Sequence, residues 1–105
     1  MKNLVQFQEA VEKELATLKL YVPIVARVHG GAHPEFLLVQ EQFQSILKKL
    51  EAEETDFQGE FNELQGITSN YTVPEDTCES YEAVYRMLSN LNEAYNADIT
   101  SADSK

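Results

Sequence analysis

Tyr21-Val-Pro-Ile-Val-Ala-Arg-Val-His-Gly-Gly-Ala-His-Pro-Glu35 joins an apolar helical stripe to a glycine corner, and a second helix restarts at Pro34. Upstream of the corner, Leu4, Val11, Leu18 and Val25 recur at heptad spacing, with Phe7, Leu15, Val22 and Val28 in adjoining positions. This spacing predicts one amphipathic helix over about 3–28. Pro23 lies inside it, removes a backbone donor and is expected to kink it. Gly30-Gly31 is expected to end the helix, because glycine accepts the positive φ of a C-cap, and Pro34 suits the first turn of the next one.

Working outward, Phe36, Val39, Phe43, Ile46, Leu47, Leu50, Phe57, Phe61 and Leu64 keep the three-to-four spacing of a second helix over about 34–64. Gly59 weakens that helix by about 1 kcal/mol relative to alanine and admits a break near 55–60. A loop rich in Gly, Thr, Ser and Asn follows at 66–73. Pro74-Glu75-Asp76 then opens a third helix over about 74–98, with acidic residues placed favourably for the helix dipole. Tyr81, Val84, Tyr85, Leu88, Leu91 and Tyr95 form its apolar stripe, and the small, polar tail 99–105 reads as frayed. No strand pattern competes. The expectation is a single all-α domain over 1–105, an antiparallel bundle of three long helices.

Charge narrows the partners. Of the net −10, residues 1–50 carry 6 basic and 5 acidic side chains, whereas residues 51–105 carry 2 basic and 13 acidic. Such an acidic half repels phosphate backbones, which excludes nucleic acid as a partner. There is no apolar run long enough to span a membrane and no signal-peptide core at the start. The single cysteine, Cys78, excludes an internal disulfide and fits a reducing cytoplasm.

Two blocks carry a kinship. Tyr21 to Gly30, followed by His33-Pro-Glu-Phe-Leu-Leu-Val-Gln-Glu-Gln-Phe43, resembles the helix, Val-His-Gly corner and His-Pro-Glu-Leu restart of one family. Asn70-Tyr-Thr-Val-Pro-Glu-Asp-Thr-Cys-Glu-Ser-Tyr-Glu-Ala-Val-Tyr85 is similar to the proline-led Cys-Thr-x-(Trp/Tyr) opening of that family's last helix. The family is the hemerythrin-like domain of the iron–sulfur cluster repair (RIC, repair of iron centres) proteins. The resemblance implies a four-helix bundle that holds two irons between histidines and glutamates. It places the early first-helix histidine at Gln8. The second-helix His-x-x-x-Glu falls on Glu53 and Phe57, the third-helix histidine falls near Glu54, and the final His-x-x-x-Glu lands on Asp98 and Ala102. Some 25 residues of the family pattern are missing, and no metal-binding histidine survives in these positions.

Helical rise gives an independent expectation. At 1.5 Å per residue, Glu53 on a straight second helix lies about 30 Å from the His29/His33 corner, level with Gln8. On the third helix the level position is then Arg86 or Met87, and Asp98 overshoots it by roughly 15 Å. A layer of glutamine, glutamates and arginine is a salt-bridge layer and a poor iron site, since imidazole suits iron. Glu53 and Glu54 are the metal candidates, as a weak hard-cation site within the acidic run Glu51 to Asp56, whose ordinary reading is a solvated face. His29 and His33 are the alternative, as a surface or interchain metal pair. Their ordinary reading is helix-end capping and corner hydrogen bonds.

Cys78 reads as a small residue near a helix start, with no histidine near it in sequence. The sequence shows no nucleophile–base pair, phosphate loop or zinc motif, so an enzyme is not expected. Two function classes remain. One is a shortened RIC-like domain for iron–sulfur repair or iron handling under oxidative or nitrosative stress, iron being weakly bound or absent. The other is a metal-free interaction or regulatory module. In the second, a homodimer or another protein covers the apolar seam that a three-helix fold leaves open.

Overall fold

The computed structural model describes residues 4–103, with side chains through Thr100. The helices are α1 (Val5–His29), α2 (Glu35–Glu51), α3 (Gln58–Ile67) and α4 (Glu79–Asp103), and there is no strand among the described residues. The chain is an all-α helical bundle. Most of the expected stripes are its core: Phe7, Leu18, Val22, Val25, Phe36, Val39, Phe43, Ile46, Leu64, Tyr81, Val84, Leu88 and Leu91 are all buried.

The second expected helix is two helices. After Glu51 the chain turns through Ala52 and Glu53, and Glu53 takes the left-handed conformation at φ 58°. Glu53 N–H then donates to the Leu50 carbonyl at 3.1 Å and Glu54 N–H to that of Lys49 at 2.9 Å. These are the two bonds of a Schellman stop, formed here without the usual glycine. Asp56 Oδ1 accepts the Gln58 N–H at 3.2 Å, so α3 starts afresh and packs against α2. Gly59 lies inside α3 and not at the break.

This reversal changes the topology. α3 occupies the fourth position of the bundle, burying Phe61 and Leu64 where the three-helix reading left a seam. It also returns the chain to the glycine corner, so that α4 starts beside the end of α1 and runs back along it. The α4 start shifts from 74 to Glu79. The Thr77 hydroxyl closes a turn onto the Pro74 carbonyl at 2.8 Å, and Asp76 is drawn to His33 at 3.0 Å, away from a first helical turn. α4 continues to Asp103, past the expected end at 98. The expected helix position at residue 3 and the tail residues 104–105 lie outside the described residues.

α1 continues through Pro23, which is exposed, as one helix. Two smaller expectations change. Val28 is 63% exposed and not in the core stripe. The corner needs glycine for space and not for positive φ: Gly30 is right-handed at φ −60°. A Cβ there would collide with the Ala26 carbonyl oxygen and come within 2.9 Å of Leu37 Cδ2.

Candidate functional site

Two ends of the bundle gather the chemistry-bearing residues. At the end where α1 begins, Asp98 is level with Phe7, contrary to the expected overshoot, which assumed that α4 starts at the far end of a straight second helix. Asp98 is 6% exposed, and its carboxylate accepts the Phe7 N–H at 2.8 Å and the Gln6 N–H at 3.3 Å. It caps α1 from another helix, where the exposed N–H groups and the dipole favour an anion. Gln8, Glu53 and Glu54 line one cleft of about 340 Å³ with Phe7 and Phe57. Gln8, Glu53 and Glu54 therefore come together at this end of the bundle.

The interior at this level is aromatic. Phe7 stands 5.0 Å from Phe57, 6.0 Å from Phe61 and 5.5 Å from Tyr95, centroid to centroid, and all four rings are buried. Such tilted and edge-to-face contacts contribute about 0.5–1.5 kcal/mol per pair beyond the burial itself. The Tyr95 hydroxyl accepts the Phe57 N–H at 3.0 Å, fixing the α2–α3 turn. Glu53 and Glu54 are both exposed. The candidate donors are thus an amide, two solvated carboxylates and one buried carboxylate already taken up by two backbone N–H groups. With no imidazole and four rings in the interior, they do not fit a two-iron centre.

Beside this cleft, Glu60 on α3 is buried at 7% exposure. The Ser45 hydroxyl donates to it at 2.7 Å, and Lys49 Nζ stands 3.0 Å from Oε2 and also donates to the Asp56 carbonyl at 2.8 Å. Burial works against ionising Glu60, but the Ser45 and Lys49 hydrogen bonds outweigh it and hold its carboxyl below the usual range. The Glu60 hydrogen bond in turn raises Lys49. Periodicity alone did not show this clamp, because Glu60 sits one position before a core phenylalanine and reads as a surface acid.

The opposite end is the glycine corner. His33 Nδ1 meets Glu35 Oε2 at 3.1 Å, and its Nε2 meets Asp76 Oδ1 at 3.0 Å. His29 Nε2 lies 3.2 Å from Cys78 Sγ, with either atom able to carry the shared proton. Both imidazoles rest edge-on against Tyr81, at 5.4 and 5.6 Å. Tyr81 is wholly buried and its hydroxyl pairs with that of Tyr85 at 3.2 Å; burial first, then that hydrogen bond, pushes its ionisation far up. The histidines do make corner hydrogen bonds. The His29–Cys78 pair is what sequence reasoning missed: 49 residues separate the partners, and only the folding back of α3 brings them together. Among the described residues, no group of three or more His, Cys, Asp or Glu side chains converges as metal ligands do. No described helix is long and apolar enough to cross a membrane.

No family model matches the chain, and no solved structure matches it. Among curated proteins it is similar to the iron–sulfur cluster repair protein ScdA from two strains of Staphylococcus epidermidis. Each is 26% identical over 119 aligned positions, which cover 81% of this chain and 53% of the relative. ScdA of Staphylococcus haemolyticus is 22% identical over 120 positions, covering 82% and 54%. The chain therefore spans about half the length of the curated relatives it matches. The aligned positions outnumber its own 105 residues, so the relatives carry residues between matched segments that this chain lacks. At this distance, and over four-fifths of its length, the chain is related to iron–sulfur cluster repair proteins.

Proposed function

We propose that this domain is a divergent RIC-like member of the hemerythrin-like class, serving iron–sulfur cluster repair or iron handling under oxidative or nitrosative stress without a di-iron centre of its own. The observation that carries the reading is the level of Gln8, Glu53, Glu54 and Asp98. These positions, on which the resemblance places metal ligands, stand near one another, while Phe7, Phe57, Phe61 and Tyr95 fill the interior. Any iron the domain takes up is held weakly at the mouth of the cleft by Glu53 and Glu54, as a solvated hard cation.

The test is metal content after anaerobic purification, Fe(II) addition and removal of excess. The expected result is no stoichiometric iron, with residual uptake lowered by replacing Glu53 and Glu54 with alanine. About two irons per chain would overturn the metal-free reading, and uptake unchanged by the substitutions would remove the two glutamates from it. The repair role is tested by adding the domain to extract in which a hydroperoxide has inactivated a [4Fe–4S] dehydratase. Faster recovery of activity is expected, and unchanged recovery refutes the role.

One observation favours a second reading, a metal-free interaction module. Leu20 is 60% exposed, Ile24 38% and Val28 63%, and they follow one another at four-residue spacing along α1. In this reading the stripe meets a second copy or another protein, and a strictly monomeric mass by light scattering at micromolar concentration counts against the homodimer.

A further inference from the structure

We infer that Cys78 and His29 form a nucleophile–base pair that makes Cys78 a site of oxidation by small neutral hydroperoxides. The His29 imidazole lies within hydrogen-bond reach of the sulfur at 3.2 Å and is oriented by packing perpendicular to the ring of buried Tyr81 at 5.4 Å. A nucleophile, a base beside it and a third group that fixes the base make up the arrangement that activates thiols. Cys78 itself is exposed, so an oxidant reaches it from solvent. It also stands at the start of α4, where its carbonyl accepts the Glu82 N–H at 3.1 Å.

The surroundings select the oxidant. Glu75, Asp76 and Glu79 flank Cys78 along the chain and disfavour anionic disulfides, whereas an uncharged hydroperoxide meets no such barrier. His29 Nε2 takes the thiol proton, and the sulfur attacks the terminal peroxide oxygen. The S–O bond forms as the O–O bond breaks, and the departing hydroxide or alkoxide collects the proton from His29 and leaves as water or an alcohol. The sulfur is oxidised by two electrons to a sulfenic acid and the peroxide is reduced by two. With no second cysteine in the chain, no internal disulfide follows.

The experiment follows hydrogen peroxide oxidation of the intact protein by dimedone trapping and peptide mass mapping to Cys78. The expected rate is about tenfold or more above that of glutathione under the same conditions, and His29→Gln removes most of the advantage, in line with the weight of a positioned acid–base group. Far-UV circular dichroism reports whether the variant keeps its helices. A wild-type rate no faster than that of glutathione overturns the inference whatever the variants do. So does a folded His29→Gln protein that reacts at the wild-type rate, because a merely structural histidine would leave the chemistry unchanged.

Discussion

Replacing Glu53 by glycine is expected to stabilise the protein, although it removes the side chain at the centre of the metal question. Glu53 holds φ 58°, a conformation that costs an L-residue with a Cβ about 1–2 kcal/mol and costs glycine almost nothing. Against that gain stands the greater freedom of glycine in the unfolded chain, about 0.5–1 kcal/mol. The two hydrogen bonds of the stop, at 3.1 and 2.9 Å, use backbone atoms alone and survive the change. The net gain is about 0.5–1 kcal/mol, or roughly 2–6 °C in Tm for a chain of this size. A thermal melt by far-UV circular dichroism measures it. Glu53→Ala serves as control, since it removes the same charge and keeps the Cβ, and it should show none of the gain. An unchanged or lower Tm for the glycine variant, or an equal rise for alanine, would refute the argument that backbone conformation governs this position. Repeating the melts with Fe(II) separates the roles, because a metal ligand would make the wild type, and not the variant, gain stability with added iron.

Asp98→Ala leaves the buried Phe7 N–H and the part-buried Gln6 N–H without an acceptor, and chemical denaturation should show a loss of about 1–3 kcal/mol. Asp98→Asn, which keeps an acceptor, should lose less. Glu60→Gln tests the α2–α3 clamp through pH. The folded Glu60 carboxyl sits below its unfolded value of 4.5, so its contribution is present above that pH and fades as pH falls through the folded value. The wild type should thus lose stability in that acid window more steeply than Glu60→Gln, and parallel curves would refute the assignment.

Helix content and core were legible because apolar spacing reports burial directly: every residue of the expected α4 stripe from Tyr81 to Tyr95 is buried. A break near 55–60 was admitted through Gly59, but the reversal at Ala52–Phe57 was not legible. Its stop is built from backbone hydrogen bonds with a glutamate in the glycine position, and the apolar spacing continues through it because both α2 and α3 face the same core. That one error carried the others. A straight second helix sends α4 to the wrong end, separates Asp98 from Gln8 and leaves Cys78 far from His29. Helical arithmetic did place Glu53 level with Gln8, and the two line one cleft; it failed for Asp98, which reaches the start of α1.

The bond between Asp98 and the start of α1 joins residues 91 apart, whereas the Ser45–Glu60 bond between α2 and α3 spans 15. Chain closure costs entropy as the logarithm of loop length, so docking α4 on α1 costs about 1.6 kcal/mol more than folding the α2–α3 hairpin. The central hairpin is therefore the natural nucleus, and the outer pair is the late, long-range event on which the folding rate depends. A short covalent linker from the end of α4 to the start of α1, with the chain reopened at the 52–57 turn, would exchange these costs and make the outer pair the local hairpin.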